Sequence, residues 1–254
     1  MKRVIPIILI YFAFIFSCSE DSDDMVSRYN ITFNFSHSWD NALITNADFN
    51  TIQFTNANGE QLSMTKLRYL VSRITFEKTT GEIFVLDGYN LVDVTNNSNL
   101  SYTPTNTIPK GTYSKVSFIF GFNNEDNYNN NYLDLNSTSW NVPDMLGGGY
   151  HYMQLEGRFI DDTTIEKGYA YHAIRAVDNS GSNQVFKDTF FEVDLAEINI
   201  SNNATFNINM NIAEWFKNPN TWDLNVLNNM LMPNFDAQLL MFENGQSAFS
   251  LESV

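Results

Sequence analysis

Three histidines, His37, His151 and His172, carry the most versatile chemistry in this 254-residue chain. Imidazoles ligate borderline and soft metal ions or move protons near neutral pH. Their spacing is not that of a local motif. There is no HxH or HExxH pair, and no GxSxG turn to present a serine nucleophile. Any site built from these histidines has to be assembled by the fold from distant segments. Asp161-Asp162 and Glu125-Asp126 have the composition of turns before that of catalytic pairs. The Asn123–Asp134 stretch is rich in oxygen ligands but lacks EF-hand spacing for calcium. Nothing pairs a nucleophile with a base, so the residues predict a binding protein and not an enzyme.

The one cysteine, Cys18, belongs to a different chemistry. Lys2 and Arg3 precede an apolar run from Val4 to Phe16, and Ser17-Cys18 closes it. That run is too short to span a bilayer and has the form of a secretory signal. It resembles a bacterial lipobox, in which the cysteine is acylated and becomes the new N-terminus. Residues 1–17 are thus expected to be a leader. Residues 18–28, with Ser19-Glu20-Asp21-Ser22-Asp23-Asp24, form an acidic tether on a lipidated Cys18, and 29–254 is one domain. Multiple acyl chains suffice for stable anchoring. The expected location is the outer membrane of the cell envelope, facing the periplasm or the cell surface. The acidic tether resembles the surface-export signal of Bacteroidetes lipoproteins.

Charge excludes further classes. The chain carries 29 Asp and Glu against 14 Lys and Arg, a formal charge of −15, and losing the leader removes two of the positive charges. Such a body is unsuited to nucleic acid, which needs basic faces. With no cysteine beyond Cys18, disulfides, zinc-thiolate sites and iron–sulfur clusters are excluded.

The elements that must position the histidines are strands. Tyr29, Ile31, Phe33 and Phe35 alternate with polar residues. Further strands are expected at Leu67–Phe76, in one or two pieces within Ile83–Val94, and from Tyr113 through Phe122 after a Pro109-Lys110-Gly111 turn. Others follow at Tyr150–Phe159, Tyr169–Ile174, Phe186–Val193 and Ala204–Ile212. Tyr169–Ile174 is expected to pair with Tyr150–Phe159 through the Asp161-Asp162 turn. Helix signals are few: one turn at Ala213–Lys217, and a short helix capped by Thr221 or Asp223 running to Asn228. The pattern predicts an all-β protein, an antiparallel β-sandwich of immunoglobulin-like type with short helical insertions. Asn123–Asn136 is the longest expected loop.

Trp140-Asn141-Val142-Pro143-Asp144-Met145-Leu146-Gly147-Gly148-Gly149-Tyr150-His151-Tyr152-Met153-Gln154-Leu155-Glu156-Gly157 resembles the central signature of MbnP-like proteins. Phe33-Asn34-Phe35-Ser36-His37 is similar to that family's first strand. Leu67-Arg68-Tyr69-Leu70-Val71-Ser72 is similar to its LxYxxS strand, and Gly111-Thr112-Tyr113 through Phe118-Ile119-Phe120-Gly121 to its GxY…FxxG strand. Tyr169-Ala170-Tyr171-His172 resembles the strand of its second histidine, and Met232-Pro233-Asn234 through Phe249 its C-terminal end. The ordered set covers nearly the whole chain after the leader. Two positions depart from the common pattern: Ala173-Ile174 after His172, and Asn141-Val142-Pro143 after Trp140.

The resemblance implies copper. In characterised relatives two histidines and a tryptophan oxidised to kynurenine hold the ion, and a di-haem peroxidase-like partner performs the oxidation. Carried over by position, His37 and His172 are the implied ligands, and His151 is a third ligand or their neighbour. Trp39 and Trp140 are the candidates for oxidation. Glu156 or Asp40 could orient an imidazole. The function implied is capture, storage or handover of copper by an envelope lipoprotein. The alternative is a surface glycan- or ligand-binding sandwich without metal, using Trp39, Trp140, Trp215 and Trp222 as stacking platforms.

Overall fold

The computed structural model describes residues 26–252. The leader, Cys18 and most of the acidic tether lie outside them. The strands that matter for the site are β1 (Ile31–Trp39), β2 (Gln61–Lys78), β3 (Tyr89–Asp93), β4 (Gly111–Phe120), β5 (Met153–Ile160), β6 (Glu166–Ala173), β7 (Phe191–Ile200), β8 (Ala204–Asn211) and β9 (Phe249–Leu251). Two α-helices join them, α1 (Leu133–Ser137) and α2 (Phe235–Gly245). No helix among the described residues is long and apolar enough to cross a membrane.

The strands form a β-sandwich, as the alternation predicts. An eight-stranded sheet is built on β2, and a five-stranded sheet contains β8, β1 and β9. β1 shows why its sequence makes a half-buried strand: Ile31, Phe33, Phe35 and His37 are buried, and Thr32, Asn34 and Ser36 between them are not. The period of two sends one set to the core and the other to solvent. Phe33 stacks on Phe206 of β8 at 5.3 Å, and Phe206 meets Phe76 of β2 edge-on at 6.1 Å. These contacts close the two layers on each other. One pairing departs from the antiparallel expectation: β1 and β8 run parallel, with Ile31 opposite Ala204 and Ser38 opposite Asn211.

β2 is 18 residues long and serves as the spine. β5 lies along its first half and β4 along its second half on the same edge. The changeover falls at Leu70, whose N–H donates to the Tyr152 carbonyl at 2.9 Å and whose carbonyl accepts from Gly121 N–H at 2.9 Å. The segment between β4 and β5 therefore leaves and returns at one residue. It covers the outer face of the sheet with a second small core of Leu70, Phe122, Leu135, Trp140 and Tyr150.

The expected helix up to Asn228 is not formed. The backbone there turns, because Leu224 N–H and the Asn225 amide are drawn to the buried Glu60 carboxylate at 2.9 and 3.0 Å. Trp222 is buried and its indole N–H reaches Leu227 O at 2.9 Å. The expected turn at Ala213–Lys217 is a 3-10 helix, Ile212–Phe216. α2 has a side-chain cap at Asn234, which accepts from Ala237 N–H, but its sequence carries little amphipathic contrast and it escapes a periodicity reading.

Candidate metal centre

The register of the large sheet decides which side chains meet. Arg68 of β2 lies opposite Gln154 of β5, and Gln154 lies opposite His172 of β6. Residues directly opposite share a face, so these three form a row. One step along, Lys66 and Glu156 form a second row on the same face. The alternate residues, Tyr69, Met153 and Ala173, point to the sandwich core.

His151 comes to the row from the segment above the sheet. Its approach depends on Gly147, Gly148 and Gly149, all with positive φ (93°, 68° and 76°). Only glycine adopts three such conformations in succession without strain. The Asn-rich loop satisfies this backbone: Asn129 Oδ1 accepts from Gly149 N–H at 2.5 Å and Asn127 Oδ1 from Tyr150 N–H at 2.8 Å. His151 N–H and Nδ1–H both donate to the Trp140 carbonyl, each at 2.9 Å. A carbonyl only accepts, so Nδ1 carries the proton and Nε2 keeps a lone pair. That Nε2 is buried with no partner. Burial lowers the His151 pKa to about 4, so the ring is neutral at neutral pH.

His172 faces His151 edge-on, with ring centroids 5.2 Å apart. Its Nε2–H donates to Glu156 Oε1 at 2.9 Å, which leaves Nδ1 with a lone pair. Glu156 also receives Lys66 Nζ at 2.8 Å. The hydrogen bond from His172, reinforced by Lys66, lowers the Glu156 pKa to about 2. The His172 side chain keeps 16% of its surface exposed, which gives the otherwise buried pair an opening to solvent.

Trp140 is buried, its ring 5.7 Å from His151, and its indole N–H has no acceptor. Arg68 lies over its face at 5.1 Å, and Arg68 Nε is also buried and unpartnered. Three of the five buried orphan polar atoms among the described residues thus belong to mutual neighbours: Arg68, Trp140 and His151.

His37 is elsewhere. It is buried on β1, and its Nε2 meets Tyr69 Oη at 3.1 Å. Tyr69 projects to the core side of the sheet and His172 to the other, so the sheet separates them. A shared His37–His172 site is not formed, because the alternation of β6 that places Ala173 in the core turns His172 outward. Trp39 packs on Phe54 and Phe216, at 5.0 and 5.7 Å, on the His37 side of the sheet. Asp40 pairs with Lys217 and orients no imidazole. Sequence spacing alone does not single out His151 over His37. The signal that does is its position two residues after a run of three glycines, where the backbone can present a ring above a sheet.

Among the described residues no three His, Cys, Asp or Glu side chains cluster tightly enough to hold a metal ion. A structural neighbour is MbnP from Methylosinus trichosporium, 12% identical, with a TM-score of 0.53 over 77% of this chain and 80% of that one. At that identity the likeness concerns the fold. No curated protein matches the sequence. The MbnP family model matches residues 28–233, well over half of the chain, and this protein belongs to the MbnP family.

Proposed function

We propose that this protein is a non-catalytic envelope lipoprotein that captures, stores or hands over copper, bound at His151 and His172. The observation that carries the reading is the pair of imidazoles with ring centroids 5.2 Å apart. Each has one N–H held by a fixed acceptor and one nitrogen left with a lone pair. Acceptors of this kind set the tautomer of metal-binding histidines. Two imidazoles with no thiolate beside them suit copper, and Cu(I) most of all. Family membership supports the same ion through the copper association of characterised relatives.

Trp140 and not Trp39 adjoins the pair, so Trp140 is the tryptophan proposed for oxidation by a di-haem peroxidase-like partner. Its nitrogen, now without an acceptor, would then become a further neutral donor. Cys18 is proposed to anchor the chain to the outer membrane. The glycan alternative loses its platforms, since Trp39, Trp140, Trp215 and Trp222 are all buried.

The test is an anaerobic Cu(I) titration of the full chain in detergent against a competing chelator. One equivalent is expected, lost in His151→Ala and in His172→Ala and kept in His37→Ala. Loss in His37→Ala with retention in the other two would refute this placement. Failure to bind in every form, including protein from its native envelope, would refute the copper reading.

A further inference from the structure

We propose that Arg68 sets the charge selectivity of the histidine pair, so that it takes a soft monovalent ion and turns away divalent ones. The proposal rests on the copper reading and extends it to the charge of the ion.

Arg68 sits in the same row as His172, two strands away, and directly over Trp140, the neighbour of His151. Its guanidinium is held by neutral groups only: Gln154 Oε1 at 2.5 Å and the Thr138 carbonyl at 3.3 Å. Among the described residues no carboxylate lies within ion-pair distance of it, whereas Arg73, Arg158 and Arg175 are all paired. Asp93, opposite it on β3, has both carboxylate oxygens engaged by Asn96. The other charges at the pair, Lys66 and Glu156, neutralise each other at 2.8 Å. Arg68 is therefore a guanidinium without an ion-pair partner, next to the histidine pair, in a chain whose net charge is strongly negative.

A fixed positive charge opposes an incoming cation in proportion to the cation's own charge. It therefore penalises a divalent ion twice as heavily, in free energy, as a monovalent one at the same position. This two-to-one ratio is the mark of a charge effect. A packing effect would weaken every ion alike.

The experiment compares Cu(I), Ag(I) and Zn(II), three closed-shell ions, by competition titration on the full chain in detergent. The proteins are the parent, Arg68→Leu, Arg68→Lys and His151→Ala, each checked for folding by circular dichroism. Arg68→Leu keeps apolar cover on Trp140 and removes the charge. It is expected to tighten Zn(II) about tenfold and Ag(I) about threefold. Arg68→Lys is expected to keep the parent's selectivity. Equal changes for Zn(II) and Ag(I), a loss for both, or Arg68→Lys matching Arg68→Leu would overturn the proposal. If His151→Ala abolishes binding and Arg68→Leu leaves selectivity unchanged, the proposal alone fails. If no protein binds any of the ions, protein from its native envelope included, both the proposal and the copper reading fail.

Discussion

At His151 a single carbonyl, that of Trp140, holds both the backbone N–H and the ring Nδ1–H. The ring cannot flip without losing a bond in a buried place, so its free nitrogen is fixed. His172 is held less rigidly, by Glu156, which is itself held by Lys66. Glu156→Ala is therefore expected to weaken Cu(I) about tenfold to a hundredfold while the fold is kept. Chelator competition and a thermal melt check the two halves of that statement. His37 makes a second, separate prediction. Burial lowers its pKa from 6.5 to about 4, as it does for His151. The unfolded chain thus binds more protons between those values. Stability is full above pH 6.5 and falls as the pH drops toward 4. Denaturation series from pH 7 to 4 should show this slope, and His37→Gln should make it shallower. A parent melting point that is flat over that window would sink the assignment of both rings as buried and neutral.

The element that places His151 is the segment from Asn123 to Tyr152, and its two odd compositions explain each other. The glycine run needs positive φ, and the asparagines supply acceptors for the N–H groups that such a backbone leaves unpaired. A Cβ at Gly149 would lie 2.5 Å from Asn127 Oδ1, so Gly149→Ala meets strain and a clash at once. It is expected to cost about 1–3 kcal/mol in urea denaturation and to weaken copper beyond what that loss explains. Asn127→Ala leaves Tyr150 N–H without its acceptor and should cost about 1–3 kcal/mol. The sequence shows this segment as a loop, because Asn-rich stretches carry no period. Its purpose is invisible there, since the bonds join residues twenty or more positions apart. The same limit applies to the histidines. Alternation shows that Tyr169 to His172 is a strand, but which face looks to the core is decided by the neighbouring strands. Local patterning therefore finds the strands and leaves His37 and His151 equivalent.

The small sheet joins strands from both ends of the described chain, and the molecule depends on that closure. β1 pairs with β8, which lies 173 positions later, and no local pattern announces a parallel pairing at such range. β9 then pairs with β8, and its Phe249 packs against Tyr69, Phe118 and Phe120 at 5.8, 5.4 and 5.7 Å. α2 buries Ala237 and Met241 on the core, and its Gln238 reaches the strand of His172 directly. Gln238 Nε2 donates to the His172 carbonyl at 2.8 Å and its Oε1 accepts from Ile174 N–H at 2.8 Å. The residues after 233 lie beyond the family match yet hold both the core and the backbone at His172. A chain ending at Pro233 would expose the edge of β8 and the aromatic cluster around Phe120, and would leave the His172 carbonyl and Ile174 N–H without their Gln238 partners. It is expected to show no cooperative thermal transition by circular dichroism. Gln238→Leu, which keeps the helix and removes only these two contacts and a third to the Leu231 carbonyl, should still fold, with a loss of about 1–3 kcal/mol. A cooperative melt from the shortened chain would show that the sandwich is complete without its last helix and strand, and would move the support of His172 elsewhere.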